Sequence, residues 1–165
     1  MLGPMRRIDL TRTLEAPAAG IFAVLADHER YTRFRGISRA RLAQEGSPER
    51  NGLGAVRALA AGPIWFDEEI TAYEPPLRLG YLIRATNLPL EHHGGVITLE
   101  PAGERTIAHW VSEFTSTGFL PGLSGAVIGS ALRRGFEGML DEAARVANGG
   151  SLDDGREIRS GSSSA

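Results

Sequence analysis

The sequence predicts an α+β domain: a curved antiparallel sheet of about seven strands, two short helices after the first strand, and one long helix near the C-terminus across one face of the sheet. Three observations carry this. Polarity alternates with a period of two in several short stretches. Those stretches are separated by Gly and Pro turn signals rather than by helices, which leaves little room for parallel crossovers. A helical period appears only twice, briefly after the first alternating stretch and at length after Pro121 and Gly122.

The first strand is read from Ile8, Leu10 and Leu14 alternating with Asp9, Thr11, Thr13 and Glu15. Pro17 stops it and suits a first helical turn, and Ile21, Phe22, Val24 and Leu25 then recur at helical spacing, so a helix is expected from about Pro17 to Ala26. A second short helical turn is expected over Glu29 to Phe34. Strands follow at Ile37 to Gln44, Ala55 to Ala60, Ile64 to Tyr73, Leu77 to Ala85, Val96 to Glu100 and Thr106 to Ser116. Gly46-Ser47-Pro48, Gly62-Pro63, Pro75-Pro76 and Pro101-Ala102-Gly103 punctuate them. The closing helix is marked by Leu123, Val127, Ala131, Leu132, Phe136, Met139, Leu140, Ala143 and Ala147 on one broad stripe.

The 165 residues suit one domain, expected over 6–148, with a disordered lead-in at 1–5 and a disordered tail at 149–165, where GGSLDDGREIRSGSSSA loses apolar periodicity. A hydrophobic share of 42% with 23% charged residues excludes wholesale disorder. No segment approaches the roughly 20 apolar residues of a membrane span, and no secretory signal follows Arg6 and Arg7, which favours the cytoplasm. A net charge of -2 excludes charge-driven capture of nucleic acid. The absence of cysteine removes disulfides and thiolate chemistry. The basic residues are all arginine, in a chain rich in Ala and Gly, so no single arginine marks a phosphate site.

The words IDLTRTLEAPAAGIFAVLADHERYTRF, EITAYEPPLRLGYLI and GVITLEPAGERTIAHW, followed by the amphipathic helix, stand in an order that resembles the START-like helix-grip (SRPBCC) superfamily, specifically its polyketide cyclase/dehydrase branch. The resemblance runs from about Arg7 to Ala147. It implies a helix-grip fold, with the sheet wrapped around the C-terminal helix and an apolar cavity between them, as in plant pollen allergens and lipid-transfer START domains. It also implies either an aromatase/cyclase without metal or nucleotide, or a binder of apolar small molecules.

Strand parity gives candidate cavity residues, because side chains two apart share a face and a one-residue slip exchanges the faces. Phe66, Glu68, Ile70 and Ala72 are placed inward, and Trp65, Asp67, Glu69, Thr71 and Tyr73 outward. Glu68, among apolar neighbours, would lose hydration and could exchange protons, unless it pairs with a buried arginine or points at a wet cavity mouth. Arg12 interrupts the apolar face of the first strand, so Glu68 or a ligand carboxylate or enolate is its expected partner. Arg57 and Arg84 are expected on the solvated convex side or at strand ends. His93 shares parity with Ile97 and Leu99 and is placed as a general base at the cavity mouth or in a solvated loop, with His92 on the opposite face and His109 outward. Leu79, Tyr81, Ile83, Leu99, Trp110, Ser112 and Phe114 are expected to form walls, and Val127 and Ala131 the helical side. Gly125, Gly129, Gly135 and Gly138 are expected to leave space for a ligand, let the helix move as a lid, or reflect composition.

Adjacent histidines on a strand point to opposite faces, so no metal site is expected, and no cofactor motif is present. The expected function is binding of a small apolar molecule, polyketide-like, aromatic or lipid. The alternatives are a polyketide cyclase/aromatase or dehydratase working by Glu68 or His93 with Arg12 stabilising an enolate, and an interaction module with a filled core. Trp65 and Tyr73 on the convex face would suit a homodimer contact.

Overall fold

The computed structural model describes residues 3–118 and 122–149, and its elements follow the changes of hydrophobic period along the chain. β1 (Met5–Leu14) leads into α1 (Ala18–Ala26) and a 3-10 helix (His28–Arg33). Then come β2 (Arg39–Gln44), β3 (Val56–Ala61), β4 (Ile64–Glu74), β5 (Arg78–Thr86), β6 (Leu90–Ala102), β7 (Arg105–Ser116) and α2 (Gly125–Ala147). The strands form one antiparallel sheet in the order β1-β7-β6-β5-β4-β3-β2, so the first strand closes against the last. This is the helix-grip arrangement.

Strand pairing begins earlier than the expected lead-in allows. Met5 opens β1 and the Gly3 N–H donates to the Ser116 carbonyl at 2.9 Å. At the other end α2 stops at Ala147 with Asn148 as its C-cap, and residues 150–165 of the expected tail, like Pro121, lie outside the described residues. Ser124 caps the N-terminus of α2, its hydroxyl accepting the Val127 N–H at 3.3 Å.

β6 is far longer than the expected Val96 to Glu100. The Gly94-Gly95 pair, which resembles a turn in sequence, is a bulge inside the strand: the register against β7 shifts between His92 and Gly94, and Gly94 takes φ 137°. A second shift, between Ile70 and Ala72, turns Tyr73 from its expected convex position onto Phe22 of α1, with ring centroids 5.3 Å apart. Trp65 alone of that pair remains outward, 41% exposed.

The main core joins Leu10, Leu14, Ile70, Leu79, Ile97 and Leu99 to α1 and to Leu140, Ala143 and Ala144 of α2. Gly20 marks how closely the helices approach, because a Cβ there would lie 2.9 Å from the Ala147 Cβ. A smaller cluster, Ile8, Leu90, Phe114 and Ile128, closes the other end. Among the described residues no helix is long and apolar enough to cross a membrane.

Candidate functional site

Between these two clusters a cavity of about 270 Å³ remains. Its floor is built from inward positions of four strands: Arg57 and Leu59, Phe66 and Glu68, Tyr81 and Ile83, Trp110 and Ser112. Val127, Ala131, Gly135, Phe136 and Met139 of α2 form its roof, and Gly36, Ile37, Leu88 and Leu123 its rim. Phe136 stacks on Trp110 with centroids 4.0 Å apart, which fixes one side of the roof to the floor.

One wall is charged. Arg57 and Glu68 are direct cross-strand partners of β3 and β4, and the Arg57 Nε–H donates to Glu68 Oε2 at 2.6 Å. Arg57 Nη1 donates to the Tyr31 hydroxyl at 2.6 Å, and that hydroxyl donates onward to the Leu25 carbonyl at 2.6 Å. The guanidinium also lies 4.7 Å from the Tyr31 ring centroid. His28 Nε2 contacts the Asn51 carbonyl at 2.9 Å, and a carbonyl only accepts, so the ring proton is on Nε2 and Nδ1 faces Arg57 Nη1 at 3.3 Å as acceptor. Burial and the Arg57 charge push the His28 pKa down to about 3, which keeps this ring neutral. Although burial works against the Arg57 charge, Tyr31 and Glu68 outweigh it and its pKa is raised. Among the described residues, Arg57 Nη2 and Glu68 Oε1 have no hydrogen-bond partner, and both side chains line the cavity.

The facing wall is neutral. The Ile83 N–H donates to His92 Nδ1 at 2.9 Å, so the His92 proton is on Nε2, which meets Ser112 Oγ at 3.0 Å. The Trp110 indole N–H donates to the Tyr81 hydroxyl at 3.0 Å. Burial, with the neighbouring His93 adding to it, lowers the His92 pKa to about 4. Burial raises that of Tyr81.

The structure brings Phe66, Glu68, Tyr81, Ile83, Trp110, Ser112, Val127 and Ala131 to the cavity. It does not bring Ile70, Leu79 and Leu99, which belong to the filled core, or Phe114, which lies under Ile128. Arg12 is a correction: it pairs with Asp141 of α2 at 2.6 Å and is half-exposed, because β1 runs beneath the packed end of the helix, away from Glu68. His93 is another. The β6 bulge reverses strand parity, so His92 is buried inside while His93 points outward to Thr115 Oγ1 at 2.7 Å. Arg57, expected on the convex side, is 2% exposed and is the arginine that Glu68 pairs with. Arg84 pairs with Glu69 on the outer surface.

Of the helix glycines, Gly125 is the most crowded, a Cβ there coming 2.3 Å from Ser116 Oγ and 2.5 Å from Arg6 Nε so that those side chains would have to move, whereas a Cβ at Gly135 or Gly138 meets nothing within 4 Å. Tyr31 and His28 carry no mark in the sequence, Phe136 is marked there only as part of the helical stripe, and His92, expected on the face opposite His93 and the inward residues, is the buried one of the two. A usable signal existed for Arg57, which shares parity with Leu59, the largest apolar side chain of β3. Among the described residues no group of three or more His, Asp or Glu is placed to hold a metal ion.

Residues 5–148 match the family described as polyketide cyclase / dehydrase and lipid transport. Among solved structures, the ZhuI aromatase/cyclase from a Streptomyces species is similar with a TM-score of 0.71 and 21% identity, over 88% of this chain and 94% of that one. Ara h 8.0201 is similar with a TM-score of 0.68 and 16% identity, over 88% and 99%. A START superfamily protein from Mycobacterium smegmatis gives 0.66 and 11%, over 88% and 99%. No curated protein matches by sequence.

Proposed function

The chain belongs to the polyketide cyclase / dehydrase and lipid transport family, and we propose that it binds a small apolar molecule, polyketide-like, aromatic or lipid, in the cavity between sheet and α2. One observation supports this above the rest: an apolar space of about 270 Å³ has a few polar groups, Arg57, Glu68, Tyr81 and Ser112, converging on it. The apolar walls would supply affinity, and these groups would orient the ligand. The test is native mass spectrometry of freshly purified protein, followed by denaturing extraction and titration with 1-anilinonaphthalene-8-sulfonate. Saturable binding, abolished when Gly135→Leu fills the space, is the expected result. Dye binding no stronger than to an unrelated folded protein would leave the filled-core interaction module in its place.

A second reading, turnover, is favoured by the unpartnered Glu68 Oε1 and Arg57 Nη2 facing the same space. Glu68 would take a proton from a methylene flanked by two carbonyls, with Arg57 holding the enolate oxygen. The enolate carbon would bond to another carbonyl of the same chain, Glu68 would return the proton to the resulting alkoxide, and loss of water would follow. Cyclisation of a poly-β-keto chain by the purified protein, lost in Glu68→Gln with folding intact, would establish it. Equal rates with and without protein would remove it.

A further inference from the structure

Of the residues that line the cavity, three carry a charge: Arg57, Glu68 and Arg35. The first two cancel, with Arg57 Nε 2.6 Å from Glu68 Oε2. Arg35 is exposed, and among the described residues it has neither an ion pair nor a hydrogen bond. The acidic residues nearest to it in sequence are engaged elsewhere, Asp27 by Arg33 at 2.6 Å and by Arg30 at 3.8 Å, and Glu29 by Arg50. Among the described residues the cavity therefore carries one uncompensated positive charge, next to Gly36 and Ile37 of its rim.

The chain fixes the place of that charge. The Ile37 N–H donates to the Phe34 carbonyl at 3.1 Å, which closes a tight turn over 34–37, and Gly36 at its third position takes φ 93°, the left-handed conformation that a type II turn needs there. Both flanks are anchored: Phe34 is 1% exposed, and Ile37 packs against the main core. Arg35 thus occupies the tip of a turn whose two ends are held by packing. An anion entering deeper meets a different balance. Glu68 already neutralises Arg57, and a further carboxylate beside them would set two negative charges against one positive in a buried wall. At the rim the same group keeps part of its hydration and meets a guanidinium whose planar fork matches it.

We propose that the cavity's ligand is an amphipathic carboxylic acid, bound with its apolar body between sheet and α2 and its carboxylate at the rim on Arg35. The proposal rests on the reading of the cavity as a ligand site and adds to it the charge of the ligand and the direction in which it lies. Arg35 is then the residue that selects acids over neutral molecules of the same shape.

The test compares ionised 2-naphthaleneacetic acid with 2-naphthaleneacetamide, which differ in charge at nearly equal shape. Each is measured by displacement of N-phenyl-1-naphthylamine, a neutral dye with no anionic group of its own to engage Arg35. The unaltered protein is expected to bind the acid about two- to fivefold more tightly at low salt, the worth of an ion pair open to water on one side, and the preference should shrink as sodium chloride is raised. Arg35→Gln is expected to bring the two affinities together, and Arg35→Lys, which keeps the charge without the fork, to retain part of the preference. Equal affinities in the unaltered protein overturn the proposal. So does a preference that survives in Arg35→Gln, which would place the carboxylate on Arg57; the cavity reading stands in both cases. Dye binding that neither compound displaces overturns this proposal too. Failure of the dye itself to bind overturns both.

Discussion

Beneath the C-terminal half of α2, Leu140, Ala143 and Ala144 pack with Leu10, Leu14 and the α1 side chains, and Gly20 admits Ala147 at the distance of touching backbones. Beneath the N-terminal half of the same helix, Val127, Ala131 and Gly135 stand over a cavity, and Val127 is 49% exposed. The apolar stripe is continuous in sequence, but between Leu140, Ala143 and Ala144 at one end and Ile128, packed on Ile8, Leu90 and Phe114, at the other, it spans an unfilled space. The filled half contributes the stability that lets the other half stay open, and the polar groups buried along the cavity cost stability rather than adding to it.

That division is open to measurement. The largest expected effect is acid sensitivity, since both buried imidazoles belong to the cavity side. His28 and His92 have folded-state pKa values lowered to about 3 and about 4 from 6.5. Below pH 6.5 the unfolded chain therefore binds protons that the native state refuses. Stability should fall by about 1.4 kcal/mol per pH unit for each imidazole, levelling off near pH 4 for His92 and near pH 3 for His28. Urea denaturation between pH 7 and pH 4 reads this directly, and a flat profile would mean that the polar walls are solvated.

Glu68→Ala comes next. It leaves Arg57 charged and uncompensated, so a loss of about 3–5 kcal/mol is expected. A loss below 1 kcal/mol would place the pair in contact with water. Leu140→Ala probes the filled half and should cost about 2–5 kcal/mol while leaving dye affinity unchanged. If dye affinity fell with it, the two halves would not be independent. The smallest effect has the opposite sign. Gly135→Ala adds a methyl group where nothing lies within 4 Å and should raise the melting temperature, by up to about 1 kcal/mol of helix propensity.

Where one residue type alternates cleanly with another, the chain could be read by eye. β7 places Trp110, Ser112 and Phe114 inward because His109, Val111 and Glu113 stand between them, and β4 keeps its parity from Phe66 to Ile70. Parity was lost beyond two of the sheet's register shifts, at His92/Gly94 and Ile70/Ala72, since one extra residue exchanges the faces without altering composition. Arg57 was obscured differently. In Val56-Arg57-Ala58-Leu59-Ala60-Ala61 both faces are apolar apart from Arg57 itself, so the shared parity with Leu59 is the one contrast that alternation offers. Arg12 found Asp141, whose pairing depends on where α2 crosses β1, and strand periodicity contains nothing of that crossing.

The closure of β1 against β7 has a consequence for synthesis. Every pairing from Met5↔Thr115 to Leu14↔Thr106 joins residues about a hundred positions apart, so on a ribosome adding roughly 5–20 residues per second the first strand waits many seconds for its partner. During that interval Ile8, Leu10 and Leu14 are an unpaired apolar edge. A nascent chain arrested before β7 emerges is therefore the species on which chaperone demand should concentrate, and release of that demand should coincide with the emergence of β7, through Ser116, from the ribosome.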